Sequence, residues 1–406
     1  MSSRWQPRPA KFTAPPLGRR LAEDGGKDVS NVEAQDRESG APRSSRDHAE
    51  VRRRLEGWLA GKLPAGAAPE ITSLSGTEGT GMSSDTMLFD ATWNEAGATR
   101  HERLVARVAP LGGDVPVFRA YDLDKQFEAI RLVGELSEVP VPRVHWYEGD
   151  TSLLGGTFFV MNRVDGLVPS DLPSYVYGGW LFDATAEQQA ALQDATVRTL
   201  ADIHAIDNAP ERFAFLQYPL PGATALHRHV ADRKAWYDFA VADVGRSPLV
   251  ERCFAYLDEH WPDVDDTPRL SWGDARIGNM LFRDFAPVAV LDWEMAGLAP
   301  REVDLGWMIY LHRVFQKMAE QSGLPGLPAF MLPDDVAATY EEASGHSPRQ
   351  LDLFVLYAAV QFGIVGMRTG LRSVRFGTAS LPDNVDDLLL NRTELEKVLA
   401  EVSARR

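Results

Sequence analysis

The order of secondary-structure patterns along the chain is the strongest constraint on its fold. Two helical patterns lie among the early segments. In the first, Val51, Leu55, Trp58 and Leu59 recur at helical spacing, and the second, Leu123–Leu136, ends at a Val-Pro-Val-Pro stretch that cannot continue a helix. After Gly166 helical periodicity dominates to the end of the chain. Strand-like runs come before that glycine, at Ile71–Leu74, Thr86–Trp93, Leu104–Val108, Val144–Tyr147 and Thr157–Arg163. Because strands and helices are segregated, we predict an α+β chain of two lobes with a cleft between them.

The first part of the chain has a different composition from the rest. The first fifty residues contain seven residues of the Ile, Leu, Val, Met, Phe and Trp set and 17 charged ones. Such a segment buries too little apolar surface to offset the entropy of ordering it. We therefore expect residues 1–46 to be a disordered tail, residues 47–164 to form the strand-rich lobe and residues 165–406 to form the helical lobe.

Charge and cysteine content exclude several functional classes. The chain has 42 basic and 58 acidic groups, a formal net charge of −16, which argues against general binding to nucleic acid or to a membrane surface. Its single cysteine, Cys253, excludes an intramolecular disulfide and a cysteine-based zinc site, and suits a cytoplasmic location. The longest apolar stretch, Phe354–Met367, is shorter than the roughly 20 residues of a membrane span, so we interpret it as a core helix. The oligomeric state is left open.

The most informative stretch runs from Ser271 to Phe282 and reads Ser-Trp-Gly-Asp-Ala-Arg-Ile-Gly-Asn-Met-Leu-Phe. A predicted hairpin begins at its end, and the second strand of that hairpin leads into Asp292. Three oxygen-bearing side chains, Asp274, Asn279 and Asp292, can therefore converge on one point. Phosphoryl transfer requires such a set, namely a carboxylate that orients the nucleophile and an amide and a carboxylate that hold Mg²⁺.

This stretch resembles the aminoglycoside-phosphotransferase-like branch of the protein-kinase fold, whose pattern is His-Gly-Asp-x₄-Asn followed by Asp-x-Glu or Asp-x-Asp. Within the branch, the pattern is closest to members associated with acyl-CoA dehydrogenases. The resemblance implies a two-lobed kinase-like fold that uses ATP and Mg²⁺ to phosphorylate a hydroxyl of a small molecule, aminoglycoside-like or hydroxyacyl-type. It assigns Asp274 as the catalytic base and Asn279 and Asp292 as the Mg²⁺ ligands. Asp304 resembles a helix-start aspartate that holds the catalytic loop through backbone N–H groups.

The resemblance also implies a nucleotide site in the strand-rich lobe. Ser83 and Ser84, in a glycine-rich turn between two strands, resemble a phosphate-binding loop. Arg107 takes the position of the lysine that binds the α- and β-phosphates, and its carboxylate partner stays open between Glu128 and the position of Gln126. The segment between the lobes resembles the adenine-binding connector, with Met161 as a wall and the backbone of Asn162–Val164 as hydrogen-bonding groups.

Two positions depart from the family pattern. Trp272 replaces the histidine of the triplet, and Arg107 replaces the lysine. An indole N–H can support the loop, and arginine keeps its charge, although it is not equivalent to lysine at a phosphate. The alternative function is therefore a catalytically silent, ATP-binding interaction protein. His204 follows the apolar face of a helix and is interpreted as a core residue.

Overall fold

The computed structural model describes residues 48–76, 85–110 and 115–405. Its strand-rich lobe contains one five-stranded antiparallel sheet with the order β1-β2-β3-β5-β4. The elements of this lobe are α1 (His48–Lys62), β1 (Glu70–Gly76), β2 (Asp85–Glu95), β3 (Ala98–Val108), α2 (Leu123–Leu136), β4 (Val144–Glu148) and β5 (Phe158–Asn162). The tail at 1–46 and the residues Ser83 and Ser84 lie outside the described residues.

Alternation along the strands gives the sheet two buried faces. On β3, Leu104, Ala106 and Val108 pack into a core shared with α1, whereas Val105 belongs to the core that contains α2. This period-2 pattern is what a strand covered on both faces requires. The core around Val105 also contains most of the apolar residues of the helical lobe, so the two lobes share one apolar cluster on the α2 side.

The helical lobe begins after the connector. Two short antiparallel pairs, β6·β9 and β7·β8, lie among its helices. Its elements are α3 (Ala186–His204), α4 (Ala209–Arg212), α5 (Ala225–Val241), α6 (Pro248–Glu259), β6 (Arg269–Ser271), β7 (Met280–Arg283), β8 (Ala286–Val290), β9 (Gly297–Ala299), α7 (Arg301–Gln321), α8 (Pro333–Ser344), α9 (Leu351–Arg375) and α10 (Arg392–Ala404). The predicted α+β class with a strand-rich lobe and a helical lobe is confirmed.

The central helix of this lobe is α9. In the described part of the chain it is a helix long and apolar enough to cross a membrane, but 83% of its most apolar window is buried inside the fold. It continues to Arg375, eight residues beyond the end of the apolar stretch Phe354–Met367. Gly366 and Gly370 lie inside it, and the chain that follows packs against both of them through Leu388 and Leu390. A 3₁₀ turn at 385–388 precedes the last helix, α10.

Close contact between α7 and α9 depends on a glycine. A Cβ atom added to Gly306 would lie 2.6–2.7 Å from the backbone and Cβ of Phe354.

Gly306→Ala should therefore lower the free energy of unfolding by about 1–3 kcal/mol, the usual cost of overpacking a core. In the exposed interior of α1, Gly57 has no atom within 4 Å of such a Cβ. Gly57→Ala should instead stabilise by about 0.5–1 kcal/mol, because alanine loses less backbone entropy. Urea denaturation of both variants measures the difference, and equal effects would contradict this account of the helix contact.

Candidate active site

The candidate catalytic loop connects β6 to β7 and turns sharply at Gly273. This residue has φ +88°, and a Cβ on it would lie 2.2 Å from the carbonyl oxygen of Met295. Both the left-handed backbone and the close approach require glycine. The turn delivers Asp274 next to the segment that carries Asp292.

The loop is held by a fully buried carboxylate, Asp304, in the first turn of α7. Its Oδ1 accepts hydrogen bonds from Ser271 Oγ at 2.7 Å and from Gly273 N at 2.9 Å. Its Oδ2 accepts one from Trp272 N at 2.8 Å and lies 3.0 Å from His204 Nε2. Hydrogen bonds to an ionised acceptor are the stronger kind, and four partners satisfy the buried charge. The geometry is that of an aspartate at a helix start that holds the loop through backbone N–H groups.

His204 is a core residue, as predicted, but its hydrogen bonds give it a further structural part. The imidazole is 2% exposed and bridges Asp304 to Tyr340, whose hydroxyl lies 2.7 Å from Nδ1. The histidine thereby ties the anchor of the catalytic loop to α8.

Trp272, which stands where the family pattern has histidine, is fully buried. Its indole Nε1 donates to the carbonyl oxygen of Leu291 at 2.9 Å, and Leu291 N donates to the carbonyl oxygen of Asn279 at 2.8 Å. Asp292 follows at once, with φ +57°. The indole therefore links the catalytic loop to the strand end that presents Asp292, so this departure preserves a hydrogen-bonded loop.

Three donors surround the carboxylate of Asp274. Trp307 Nε1 donates to Oδ1 at 2.7 Å, Asn279 Nδ2 donates to Oδ2 at 2.6 Å, and Arg276 Nε lies 3.1 and 3.0 Å from Oδ1 and Oδ2. The side chain of Asp274 is 12% exposed. Asp171 shares the guanidinium of Arg276. Burial opposes the charge of this arginine, but the two carboxylates outweigh burial and raise its pKa. The three donors hold the carboxylate of Asp274 in one orientation.

The side-chain oxygen atoms of Asn279 and Asp292, close to Asp274, suit a magnesium ion. Asn279 uses its Nδ2 on the main-chain and side-chain oxygens of Asp274, which leaves its Oδ1 without a protein partner in the described part of the chain. The hairpin β7–β8 places Asp292 beside it. One amide oxygen and one carboxylate fit Mg²⁺, which keeps several waters and takes further ligands from substrate phosphates. Among the described residues there is no cluster of three His, Cys, Asp or Glu side chains suited to a metal.

The side chain of Arg107 extends from β3 toward Asp292. Its Nη2 lies 3.3 Å from Oδ1 of Asp292, and its side chain is 11% exposed. Of the two partner positions that the sequence left open, Glu128 is bonded by Arg131 of its own helix at 2.5 and 2.8 Å. Gln126 is buried. Asp292, which is an acidic partner of Arg107, comes from the other lobe.

The connector offers fewer backbone groups than the sequence interpretation assumed. Asn162 N donates to the carbonyl of Arg143 at 2.9 Å and Arg163 N to that of Arg103 at 2.8 Å, because β5 lies between β4 and β3. Val164 N has no such bond within the described residues. Met161 is 7% exposed and packs in the core on the α2 side. Within the described ranges, the N–H of Val164 is therefore the connector group that can still bind a ligand.

Sequence reasoning missed three residues of this site. Trp307 lies three positions after Asp304 on α7, so the helical period places both on one face, and that spacing is a usable signal. Arg276 is two residues from Asp274 and was visible as a charged neighbour. No sequence signal points to Asp171, which is 105 residues from Arg276.

A family comparison identifies the class of protein. The profile of the phosphotransferase enzyme family matches residues 87–333, which is more than half of the chain. The chain therefore belongs to the phosphotransferase enzyme family, and the predicted family is confirmed.

Curated relatives place the chain near proteins named after acyl-CoA dehydrogenases. It is 27% identical over 234 residues to human acyl-CoA dehydrogenase family member 11, which covers 55% of this chain and 28% of that protein. It is 25% identical over 278 residues to a probable acyl-CoA dehydrogenase, IBR3, of Arabidopsis thaliana, which covers 63% of this chain and 31% of that protein. The matches thus span about a third or less of the length of these relatives.

Solved structures support the fold. A Ralstonia eutropha protein solved as a candidate aminoglycoside phosphotransferase has a TM-score of 0.59 at 20% identity, covering 87% of this chain and 98% of that one. The aminoglycoside phosphotransferase APH(2")-IIIa, solved with GDP and kanamycin, has a TM-score of 0.51 at 14% identity, covering 86% and 98%. APH(4)-Ia, solved as a thermostable mutant with ADP and hygromycin B, has a TM-score of 0.50 at 17% identity, covering 85% and 98%.

The anchoring of the loop by Asp304 is testable through stability. Asp304→Asn keeps one acceptor oxygen but turns an amide NH₂ toward two of the four donors. Leaving buried donors without an acceptor costs about 1–3 kcal/mol each, so unfolding should become easier by at least about 2 kcal/mol. Urea denaturation measures this against Asp263→Asn, whose side chain is 88% exposed and pairs only at the surface. Losses of equal size in the two variants would show that Asp304 is not the anchor.

Proposed function

We propose that the protein is an ATP- and Mg²⁺-dependent phosphotransferase that moves the γ-phosphate of ATP to a hydroxyl of a small molecule, with Asp274 as the base. The observation that carries this proposal is the carboxylate of Asp274, oriented by Trp307, Arg276 and Asn279 within the same loop and hairpin that present Asn279 and Asp292. This is the set of groups that phosphoryl transfer needs.

The residues of the chain have separable roles in this mechanism. Asp274 accepts a hydrogen bond from the acceptor hydroxyl, orients its oxygen toward the γ-phosphorus and takes its proton as the new O–P bond forms and the bond to the leaving ADP oxygen breaks. Trp307, Asn279 and Arg276 together keep the carboxylate in one orientation. Asn279 Oδ1 and the Asp292 carboxylate would hold Mg²⁺, which, when bound, neutralises charge on the β- and γ-phosphates.

The nucleotide is proposed to lie between the two lobes. Arg107 would bind the α- and β-phosphates, Val164 N–H would bond the base, and Met161 would line its pocket. Ser83 and Ser84 are proposed to contact the phosphates. Because one relative with the same fold was solved with ADP and another with GDP, the choice of ATP over GTP is tested directly by competition between the two nucleotides.

The acceptor is proposed to be a small hydroxylated molecule, aminoglycoside-like or hydroxyacyl-type. The apolar helix α9 supplies few acids for a polycationic sugar, and the similarity to proteins named acyl-CoA dehydrogenase favours the second class. A screen of hydroxylated metabolites, hydroxyacyl compounds and aminoglycosides for stimulated ATP consumption tests the proposal. We propose a cytoplasmic location and no nucleic-acid or membrane partner, in line with the acidic charge.

Substitutions of Asp274 and Asp292 should have different effects on nucleotide binding and turnover if these roles are correct. Asp274→Asn should keep the Kd for Mg-ATP within a few-fold and lower kcat by about 10²–10⁴, the usual contribution of general acid–base catalysis. Asp292→Asn should weaken Mg-ATP binding as well as turnover, because it removes the charge of the metal site. Calorimetry with and without Mg²⁺ and steady-state turnover measure both, with Asp263→Asn as the exposed control. An Asp274→Asn enzyme with wild-type kcat would refute the base assignment.

A substitution at Trp272 tests the alternative function, that of a catalytically silent, ATP-binding interaction protein. The indole already links the loop to Leu291, so Trp272→His should leave turnover within roughly tenfold of the wild type. Suppose instead that the wild type binds ATP without turnover on a broad acceptor panel and that Trp272→His restores it. The natural protein would then be a nucleotide-binding interaction protein.

A further inference from the structure

An arginine lies between the proposed base and a second carboxylate. Arg276 Nε contacts both oxygens of Asp274, at 3.1 and 3.0 Å, while its Nη1 is bonded to Oδ2 of Asp171. The three side chains are 22%, 12% and 33% exposed, in the order Arg276, Asp274 and Asp171. The guanidinium thus uses two different edges on two carboxylates, a geometry that a lysine cannot reproduce.

The space around this ion pair shows that it is built into the loop. A Cβ on Gly278 would lie 2.4 Å from Arg276 Nη1 and 2.8 and 3.0 Å from the two oxygens of Asp171. The backbone of Gly278 does not have a positive φ, so here the glycine is required by space and not by conformation. The pair between Arg276 and Asp171 fills the volume that a side chain at position 278 would occupy.

Asp171 is itself fixed relative to the hairpin. Leu167 and Phe282 exchange two backbone hydrogen bonds, each 2.8 Å long, and Phe282 lies on β7, three residues after Asn279. A further backbone bond of 2.6 Å, from Tyr175 N to Ser170 O, closes the turn that carries Asp171. The segment after the connector is therefore attached to the same strand that follows the catalytic loop.

Asp171 has one side-chain oxygen that is hydrogen-bonded and one that has no partner in the described part of the chain. Its Oδ1 is buried and has no hydrogen-bond partner among the described residues, so Arg276 is the side chain that Asp171 engages. A partly buried carboxylate with one oxygen that lacks a hydrogen bond destabilises the fold. The other oxygen of Asp171 holds the guanidinium of Arg276 in one position.

We propose that Asp171 is a positioning residue for the phosphoryl-transfer step, acting through Arg276 to hold Asp274; this inference rests on the proposed function. Arg276 has a long side chain with many rotamers, and on its own it does not define the plane of the Asp274 carboxylate. Asp171 removes that freedom by fixing the far edge of the guanidinium. A displacement of about 1 Å at a reacting group can lower a rate by roughly 10², so loss of Asp171 should act on kcat.

Kinetics of Asp171→Asn, Arg276→Gln and the double variant test the coupling. Each single variant should lower kcat by about 10–10² while the KM for Mg-ATP stays within about threefold, and the double variant should lose no more than the worse single one, because both changes break the same chain of contacts. The matched control is the exposed pair Arg246–Asp238, whose N–O distance is 2.9 Å, with Arg246→Gln and Asp238→Asn expected to leave kcat unchanged. A wild-type kcat in Asp171→Asn, or losses that multiply in the double variant, would overturn the proposal. Asp171→Ser provides a second variant if Asp171→Asn does not fold.

A measurement without turnover separates this proposal from the function on which it rests. The ¹³Cγ resonance of Asp274, assigned by its loss in Asp274→Asn, should move at fixed pH when Asp171 is changed, and should not move further when Asp171 is changed in the Arg276→Gln background. An unmoved resonance in Asp171→Asn would refute the positioning role. If the wild type phosphorylates no acceptor, the proposed function fails by itself, and the resonance still decides whether Asp171 acts on Asp274 through Arg276.

Discussion

The buried carboxylate of Asp304 is the interaction on which the candidate site depends. It gathers two backbone N–H groups, a serine hydroxyl and a histidine ring around one charge inside the helical lobe. A buried carboxylate is tolerated only when its hydrogen bonds are made, so the loop cannot move away without leaving the charge unpaired. The position of Asp274 relative to α7 follows from this one residue, and Trp307 reaches Asp274 from the next turn of the same helix.

A second set of bonds sets the distance between the loop and the hairpin. Trp272 donates to the carbonyl of Leu291, and Leu291 donates to that of Asn279, so Asp274 and Asn279 share a hydrogen-bond network with the residue that precedes Asp292. In this chain a large indole occupies a loop position where the family pattern has histidine. Its N–H replaces one polar contact, and its rings fill a fully buried volume next to Trp293.

The sequence predicted the arrangement of residues that are close together in the chain. It left open the contacts between distant segments. Asp274, Asn279 and Asp292 lie within nineteen positions on a loop and a hairpin, and the alternating and turn residues between them indicate that they converge. The pairing of Arg107 with Asp292 joins residues 185 positions apart in different lobes, and no periodicity encodes it. The use of the Asn162 N–H by Arg143 follows from the sheet order β3-β5-β4, which the order of strands along the chain does not determine.

The apolar core that the two lobes share bears on whether either lobe can fold without the other. Val105, Phe159 and Met161 of the sheet belong to the same apolar cluster as the helical lobe, and Val290 N donates to the carbonyl of Pro140 at 2.7 Å across the boundary. A fragment ending at the connector would expose that face of its sheet to water and lose the partner of Pro140. We therefore expect the strand-rich and helical lobes to fold as one unit, because each covers an apolar face of the other.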